Sequence, residues 1–215
     1  YEGEKMSKSL GNVVDPFVEG ERFGSSGSGI DALRYYLLRE IPTSEDGDFN
    51  KARFEAIYEG ELANNLGNLV SRVLTMTEKY ADSKVPPIAK DEEIVNKVLE
   101  TWKEYQQHMA EFNLKAAIEA TFSLLSFANQ YIDEKKPWQM AKKAPTNVLH
   151  TLYHLLEIIR HASFMLKPFM PETAKKIQDA LSVDGDKLYP DAINWGGLKE
   201  GDAVKKIAAL FPKTA

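Results

Sequence analysis

Apolar residues recur at spacings of three and four along four long segments of the chain, and this periodicity is the strongest constraint on the fold. No segment shows convincing period-two alternation, which is the pattern of a half-buried strand. Each stripe needs a partner surface for burial, so the sequence predicts an all-α protein whose helices form an antiparallel bundle. The stripes are Leu62, Leu66, Leu69, Val73, Met76 and Tyr80; Val95, Val98, Trp102 and Met109; Leu114, Ile118, Thr121, Leu125, Ala128 and Ile132; and Val148, Leu152, Leu155, Ile159, Ala162 and Leu166.

Prolines and capping residues predict where these helices begin and end. Asp48 and Asn50 are candidate N-caps for the first long helix, and Pro86-Pro87 is expected to end it. Further stop and start signals are Pro137, Pro145, Lys167-Pro168 and Pro171. The chain from Trp195 to Pro212 is predicted to be an extended tail that packs back on the bundle through its large apolar residues.

The composition is that of a soluble globular protein. The sequence contains no cysteine, which excludes a disulfide and a cysteine-based zinc site. No long apolar run and no signal peptide is found, so we expect no membrane span and a cytoplasmic location. The net charge of −5 argues against a general nucleic-acid binder, but a local basic region surrounds Trp138. Its residues are Lys135, Lys136, Lys142 and Lys143.

Residues 5–9, Lys-Met-Ser-Lys-Ser, place two lysines three apart on a loop that ends in Gly11. A lysine is a mobile point charge that suits a phosphate whose charge grows during a reaction. Lys5 and Lys8 are therefore candidates for gripping a polyphosphate in its transition state. The alternative is an ordinary solvated basic loop, since short runs of lysine and serine are common.

The composition predicts three regions along the chain. Residues 1–23 are expected to be loop and short turns, with Asp15-Pro16 as a turn signal. Residues 24–29 have the Gly/Ser composition of a flexible linker, either engineered or a natural insertion. Residues 30–215 are predicted to form the helical domain with its tail. No nucleotide pocket precedes residues 5–9, so we expect this chain to be part of a larger enzyme.

Two stretches carry side chains suited to unpaired nucleobases. Asn68 and Arg72 are four apart on the first long helix, so they project from one face. An amide pairs with base edges, and a guanidinium forks onto a base or a phosphate. Pro137 is expected to end one helix and to hold Trp138 at the start of the next turn, where an indole can stack on a base. From spacing alone, the simpler readings are polar residues beside a core stripe and a tryptophan that fills a gap between helices.

These motifs together resemble the methionyl-tRNA synthetase family of class I aminoacyl-tRNA synthetases. The resemblance is carried by residues 5–17, by the helix that begins Ile30-Asp31-Ala32-Leu33-Arg34, and by the stretches 66–72 and 129–142. It extends from Lys5 to about Pro212 and is weakest over residues 82–112, where only helical character matches.

The resemblance implies a role for each candidate site residue. Lys8 would stabilise the pyrophosphate leaving group during aminoacyl-adenylate formation, and Lys5 would assist at the ATP phosphates. The residues that would recognise the CAU anticodon are Asn68, Arg72, Pro137 and Trp138. The tryptophan would stack on the first anticodon base, while the asparagine and arginine would hydrogen-bond to base edges.

The implied parent protein is an ATP-dependent methionine–tRNA ligase whose partners are tRNA(Met), methionine and ATP with Mg²⁺. This chain lacks the family's other nucleotide-binding motif, its methionine pocket and its zinc-binding insertion, so we expect it to bind no cofactor and to be inactive alone. Two alternatives of other classes stay open. One is a stand-alone helical tRNA-binding module, and the other is a helical interaction protein that does not bind RNA.

One further polar cluster is predicted to have no function. His150, His154, Glu157 and His161 share one helix face, which lies opposite the Leu152 stripe and is therefore expected to be solvated. A single exposed helix seldom closes a ligand shell, so we predict no metal site there. Trp102 and Trp195 are expected to fill gaps in the core.

Overall fold

The computed structural model describes residues 1–23, 28–41, 46–186 and 191–213. The all-α prediction is confirmed: within these ranges the only β-structure is an isolated bridge between Lys84 and Ala203. The α-helices are α1 (Pro16–Glu21), α2 (Ser28–Glu40), α3 (Lys51–Ile57), α4 (Asn68–Tyr80), α5 (Glu92–Ala110), α6 (Leu114–Lys135), α7 (Pro137–Met140), α8 (Pro145–Leu166) and α9 (Pro171–Ala180). Two short 3-10 turns cover Lys8–Leu10 and Asp191–Ile193.

The N-terminal segment contains more helix than the sequence indicated. Asp15 and Pro16, expected to mark a turn, start α1: the Asp15 carboxylate caps the backbone N–H groups of Phe17 and Val18, and Pro16 occupies the first helical position. Of the predicted linker, residues 24–27 lie outside the described residues. Ser28 and Gly29 form the first turn of α2.

A single helical rod runs from Lys51 to Tyr80, as α3, a π-helical segment (Tyr58–Gly67) and α4 without a break. Asn50 caps it as predicted, since its side chain accepts the Arg53 N–H at 2.8 Å. Ten residues of π-helix are unusual, because this geometry normally occurs as single-turn bulges. The spacing of the apolar residues did not predict this π-helical segment.

The rod ends at Tyr80, so the prediction that Pro86-Pro87 ends it was wrong by several residues. Asp82 and Ser83 adopt positive φ angles of 49° and 57°, which no helix continues. The chain then pairs with the tail, because the Val85 N–H donates to the Asp202 carbonyl and the Val204 N–H donates to the Ser83 carbonyl. The end itself is closed locally, because the N–H groups of Ala81 and Ser83 both donate to the Thr77 carbonyl.

The later helices form a bundle around α8, as predicted from the stripes. α5 and α6 pack together across a three-residue connection, and α8 packs against α4, α6 and α9. Apolar side chains of all these helices make one continuous core. Pro137, Pro145 and Pro171 each begin a helix, and α8 ends at Leu166 just before Lys167-Pro168. None of the helices described is both long and apolar enough to cross a membrane.

The tail packs on the bundle, which confirms the prediction for this segment. Leu198, Val204, Leu210 and Phe211 are buried. At its far end the Tyr58 hydroxyl donates to the Pro212 carbonyl at 2.7 Å, so the tail is tied to the π-helical segment.

The polar face of α8 is buried, so the prediction that it is solvated was wrong for three of its four residues. His150 is exposed, but His154, Glu157 and His161 are buried beneath Trp195 and the residues around it. Trp195 stacks on the His161 ring at a centroid distance of 6.1 Å. The spacing of apolar residues predicts which face of α8 packs into the core. It does not predict that a segment distant in the sequence covers the opposite, polar face.

Glu157 is the centre of this buried network. Its carboxylate accepts a hydrogen bond from Nη2 of Arg160 at 2.8 Å. It also accepts hydrogen bonds from the backbone N–H groups of Gly196 and Leu198 at 3.1 and 2.8 Å. Arg160 in turn donates to the carbonyls of Ala192 and Asn194. The buried ion pair thus fastens the tail to α8.

His161 belongs to the same network and is neutral in it. The Trp102 indole N–H donates to its Nδ1 at 3.0 Å, which requires that nitrogen to be unprotonated. Burial, followed by the neighbouring Arg160 guanidinium, holds the pKa of His161 well below its usual range. Trp102 is therefore a core residue, as predicted.

Candidate nucleic-acid interface

The two stretches predicted to read bases meet where α4, α6 and α7 come together. Arg72 of α4 donates through Nη2 to the Asp133 carboxylate of α6 at 2.9 Å. The same guanidinium lies 5.9 Å from the centroid of the Trp138 ring on α7, which is within cation–π range. Residues 66 positions apart in the sequence therefore share one surface.

Pro137 and Trp138 are positioned by the end of α6. Lys136 caps that helix in the left-handed conformation (φ 43°), and buried Pro137 then occupies the first position of α7. This turn directs Trp138 outward, where 45% of the residue is exposed. A tryptophan that filled a gap in the core would be covered, so this simpler reading of Trp138 is excluded.

Asn68 is the first residue of α4 and is exposed. It lies one turn before Arg72, so both side chains project from the same side of the rod. Its backbone N–H donates to the carbonyl of Ala63, five residues earlier, which is the bonding pattern of the π-helical segment. The end of that segment therefore sets the direction in which Asn68 points.

Asn68 lines a groove of about 370 Å³, at the lower end of the range for ligand sites. One wall carries Asn64 and Ser71 from the rod, and the tail supplies Phe211 and Lys213 on the other. These neighbours were not predicted from the sequence. Asn64 and Ser71 lie four residues before and three residues after Asn68, so their place on the same helix face could have been predicted from spacing. Nothing in the sequence indicated that the tail would pack beside them.

An amide network at a second cavity, which Asn65 and Ser126 line, joins the rod to α6. Asn129 donates through Nδ2 to the Asn65 side-chain carbonyl at 2.8 Å, and Asn65 donates to the Ser126 hydroxyl at 3.2 Å. Together with the Arg72–Asp133 pair, these bonds hold the two helices in register. The relative positions of Asn68 and Trp138 therefore rest on polar contacts as well as on the core.

The loop with the two candidate phosphate-binding lysines is closed by Asn12. The Asn12 side chain accepts the Ser7 N–H at 2.8 Å and donates to the Lys5 carbonyl at 3.1 Å. Gly11 allows the turn with a φ of 66°. Lys5 and Lys8 are both exposed, and neither makes an ion pair with any residue that the structure describes. The role of Asn12 was not predicted.

The charged groups of the described residues form no cluster of three or more histidine, cysteine, aspartate or glutamate side chains that would hold a metal ion. At the interface, the structure shows a salt bridge between Arg72 and Asp133. This surface offers an aromatic face, an amide and a guanidinium, which suit the recognition of splayed-out bases rather than bond-breaking chemistry.

Two family models match the chain. Residues 84–215 match the anticodon binding domain of methionyl tRNA ligase, and residues 1–74 match the class I tRNA synthetases of the methionyl type. The first match covers more than half of the chain.

Curated proteins and solved structures agree with these matches. The methionine–tRNA ligases of Caldanaerobacter subterraneus and Clostridium tetani are 39% and 40% identical over 99% of this chain. The chain spans about a third (33%) of the length of these relatives. The crystal structure of Mycobacterium tuberculosis methionyl-tRNA synthetase bound by methionyl-adenylate is similar with a TM-score of 0.85 and 33% identity, over 97% of this chain and 42% of that one.

Proposed function

The chain belongs to the family of methionyl tRNA ligase anticodon-binding domains, and we propose that it binds the CAU anticodon of tRNA(Met) as part of a methionine–tRNA ligase. In this proposal Trp138 stacks on the first anticodon base, and Asn68 and Arg72 hydrogen-bond to base edges. Pro137 serves by holding the indole at the surface.

The observation that carries the proposal is the exposed indole with a guanidinium over it at the junction of three helices. An aromatic face stacks on any base and contributes on the order of 1–3 kcal/mol per base. Specificity has to come from hydrogen bonds, since an amide can meet both donors and acceptors of a base edge. Asn68 lies one turn along the same helix side as Arg72, so a base stacked near Trp138 has such partners within the same surface.

Asp133 supports this arrangement. By pairing with one end of the guanidinium it fixes the orientation of Arg72, while the described contacts leave its other N–H groups available. A side chain held in place before binding loses less conformational entropy when RNA arrives.

Residues 5–12 are proposed to act with ATP in the full-length ligase. The exposed, unpaired ammonium groups of Lys5 and Lys8 on the loop held by Asn12 fit a polyphosphate. In the complete enzyme Lys8 would stabilise the pyrophosphate that leaves and Lys5 the phosphates of ATP, which is expected to be bound with Mg²⁺. Methionine activation by this chain alone is not expected, and a cytoplasmic location and the domain division at residues 24–29 stay predictions.

The test is a titration of the chain with an RNA stem-loop carrying CAU and with stem-loops carrying other anticodons, at stated salt concentration. We expect the CAU loop to bind most tightly. Trp138→Ala should weaken this binding at least tenfold, because about 1.4 kcal/mol corresponds to a factor of ten and stacking supplies about that much.

Phe17→Ala is the matched control, since Phe17 is also an exposed aromatic residue, 73% exposed on α1. It should leave the affinity unchanged. Equal affinity of the wild type and the Trp138→Ala variant would refute the proposal and favour a helical interaction protein. Tight binding without any preference for CAU would instead favour a general tRNA-binding module.

A further inference from the structure

The second cavity, which Asn65 and Ser126 line, has a volume of about 260 Å³ and lies where α2, the π-helical segment and α6 meet. Its floor consists of Tyr35 from α2 and of Ile118 and Phe122 from α6, all of them buried. The rings of Tyr35 and Phe122 lie 4.9 Å apart between centroids. The floor is therefore apolar and largely aromatic, and it is held in place by the core.

The charges of one side of the second cavity are already paired. The Glu61 carboxylate accepts hydrogen bonds from Nε and Nη2 of Arg39, both at 3.2 Å, and from the Tyr35 hydroxyl. This forked contact with the guanidinium balances the charge of Glu61. Glu61 belongs to the π-helical segment, a backbone geometry that is frequent at functional sites.

The α6 side of the second cavity carries polar groups with spare hydrogen-bonding capacity. Glu119 lies 3.7 Å from Nη1 of Arg39, which is beyond hydrogen-bonding distance, and its side chain is 50% exposed. Ser123, one turn further along α6, is exposed and makes no hydrogen bond with any residue that the structure describes. The Ser126 hydroxyl accepts the Asn65 amide at 3.2 Å and still has its own proton to donate.

These groups determine the charge of a ligand that fits. The residues described around the second cavity include two carboxylates, Glu61 and Glu119, and one guanidinium, Arg39, which gives a net charge of −1 from 1 − 2. An anion is therefore disfavoured. A metal ion is disfavoured as well, because Glu61 is already held by Arg39 and the described residues contain no metal-binding group of three or more side chains.

We propose that the second cavity binds a small, flat organic cation, namely an amidine or guanidine carried on an aromatic ring. The ring lies on the apolar floor, and the cation pairs with Glu119 and donates to the Ser123 hydroxyl. A planar amidinium suits a carboxylate because it can make two parallel hydrogen bonds with it. The volume is below the roughly 300–1,000 Å³ of sites for drug-sized ligands, so the ligand has only about ten heavy atoms.

Benzamidine is the probe, and benzamide, which has the same shape without the charge, is the matched ligand control. Each is titrated into the ¹⁵N-labelled chain and followed by NMR. Benzamidine should cause saturable shifts of the Glu119, Ser123 and Ser126 backbone amides, with a dissociation constant on the order of 1 mM. Benzamide should bind at least about fivefold more weakly, because a partly exposed ion pair contributes up to about that factor.

Two variants test the site within the protein. Glu119→Gln should weaken benzamidine binding at least about fivefold and leave benzamide binding unchanged, since it removes only the charge. Glu104→Gln is the matched control, because Glu104 is an exposed glutamate on the neighbouring helix α5; it should bind benzamidine as the wild type does. Ser123→Phe, at an exposed position, should fill the cavity and abolish binding of both compounds, with thermal unfolding as the check on its fold.

Shifts confined to the second cavity that weaken at least about fivefold in Glu119→Gln, but not in Glu104→Gln, support the proposal. A smaller difference between these variants overturns it. So do shifts spread over the whole surface, or their absence at about twenty times the expected dissociation constant. None of these measurements involves RNA, so the proposed anticodon binding stands or falls independently.

Discussion

Glu157 provides the sharpest test of what holds the tail on the bundle. Its side chain is fully buried and accepts hydrogen bonds from the Arg160 guanidinium and from the N–H groups of Gly196 and Leu198. Glu157→Gln keeps the shape of the side chain but removes the negative charge. It also places an NH₂ group where a carboxylate oxygen had faced a donor.

The expected cost follows from these contacts. Arg160, 1% exposed, would lose its negatively charged partner and keep only uncharged acceptors, namely the Ala192 and Asn194 carbonyls and the oxygen of the new amide. Breaking a buried pair in this way typically costs about 3–5 kcal/mol, and one backbone N–H of the tail would also lose its acceptor. For a chain of this size about 2–4 °C of Tm accompanies each kcal/mol, so we expect the Tm to fall by roughly 6–20 °C.

Thermal unfolding followed by circular dichroism, with hydrogen exchange at the Gly196 and Leu198 amides, measures this effect. Glu134→Gln is the control, because Glu134 is exposed and has no partner among the described residues; its Tm should hardly change. Glu157→Gln combined with Arg160→Met should recover part of the loss, since it removes the unbalanced charge. A Glu157→Gln variant that melts with the Glu134→Gln control would refute this account of the tail.

Two further predictions concern acid stability and catalysis. His161 is buried in its neutral form, and its pKa in the folded state lies below the usual 6.5. The unfolded chain therefore binds a proton at His161 more readily than the folded chain does, so the free energy of unfolding should fall as the pH drops below about 6.5. The His161 contribution approaches about 1.4 kcal/mol per pH unit, and denaturant unfolding from pH 7 to 5 should show a flatter dependence in His161→Gln; equal slopes would contradict this origin. The chain alone should show no methionine-dependent ATP–pyrophosphate exchange, and measurable exchange would show that the matched third of the ligase is sufficient for activation.

The sequence predicted most of the helices because each buries one continuous apolar stripe. Leu114 and Ile132, for example, lie in one helix, and Pro145 begins the next long helix, α8, as their spacing indicated. Apolar periodicity is a local property, and local properties can be read along the chain. A common surface for Asn68, Arg72 and Trp138 was expected from the family resemblance rather than from spacing, and the Arg72 guanidinium lies 5.9 Å from the centroid of the Trp138 ring.

The errors arise where features other than apolar periodicity decide the structure, and the largest of them comes from contact with a segment distant in the sequence. The face of His154, Glu157 and His161 looked solvated because the tail that covers it begins some thirty residues later. The helix ends at Tyr80, before the prolines, because Asp82 and Ser83 adopt positive φ angles and the N–H groups of Ala81 and Ser83 bond to the Thr77 carbonyl. The π-helical segment leaves the apolar stripe intact, so periodicity could not reveal it.

The position of the tail has a consequence for the order in which this surface is completed during synthesis. Phe211 forms a wall of the groove beside Asn68 but is made more than 140 residues later. A ribosome-bound chain that has emerged only as far as α9 contains all the helices and Trp138, yet its groove is open on one side because the tail is missing. Under the function proposed above, we therefore expect discrimination between anticodons to be complete only after residues 209–213 have emerged and docked on the rod.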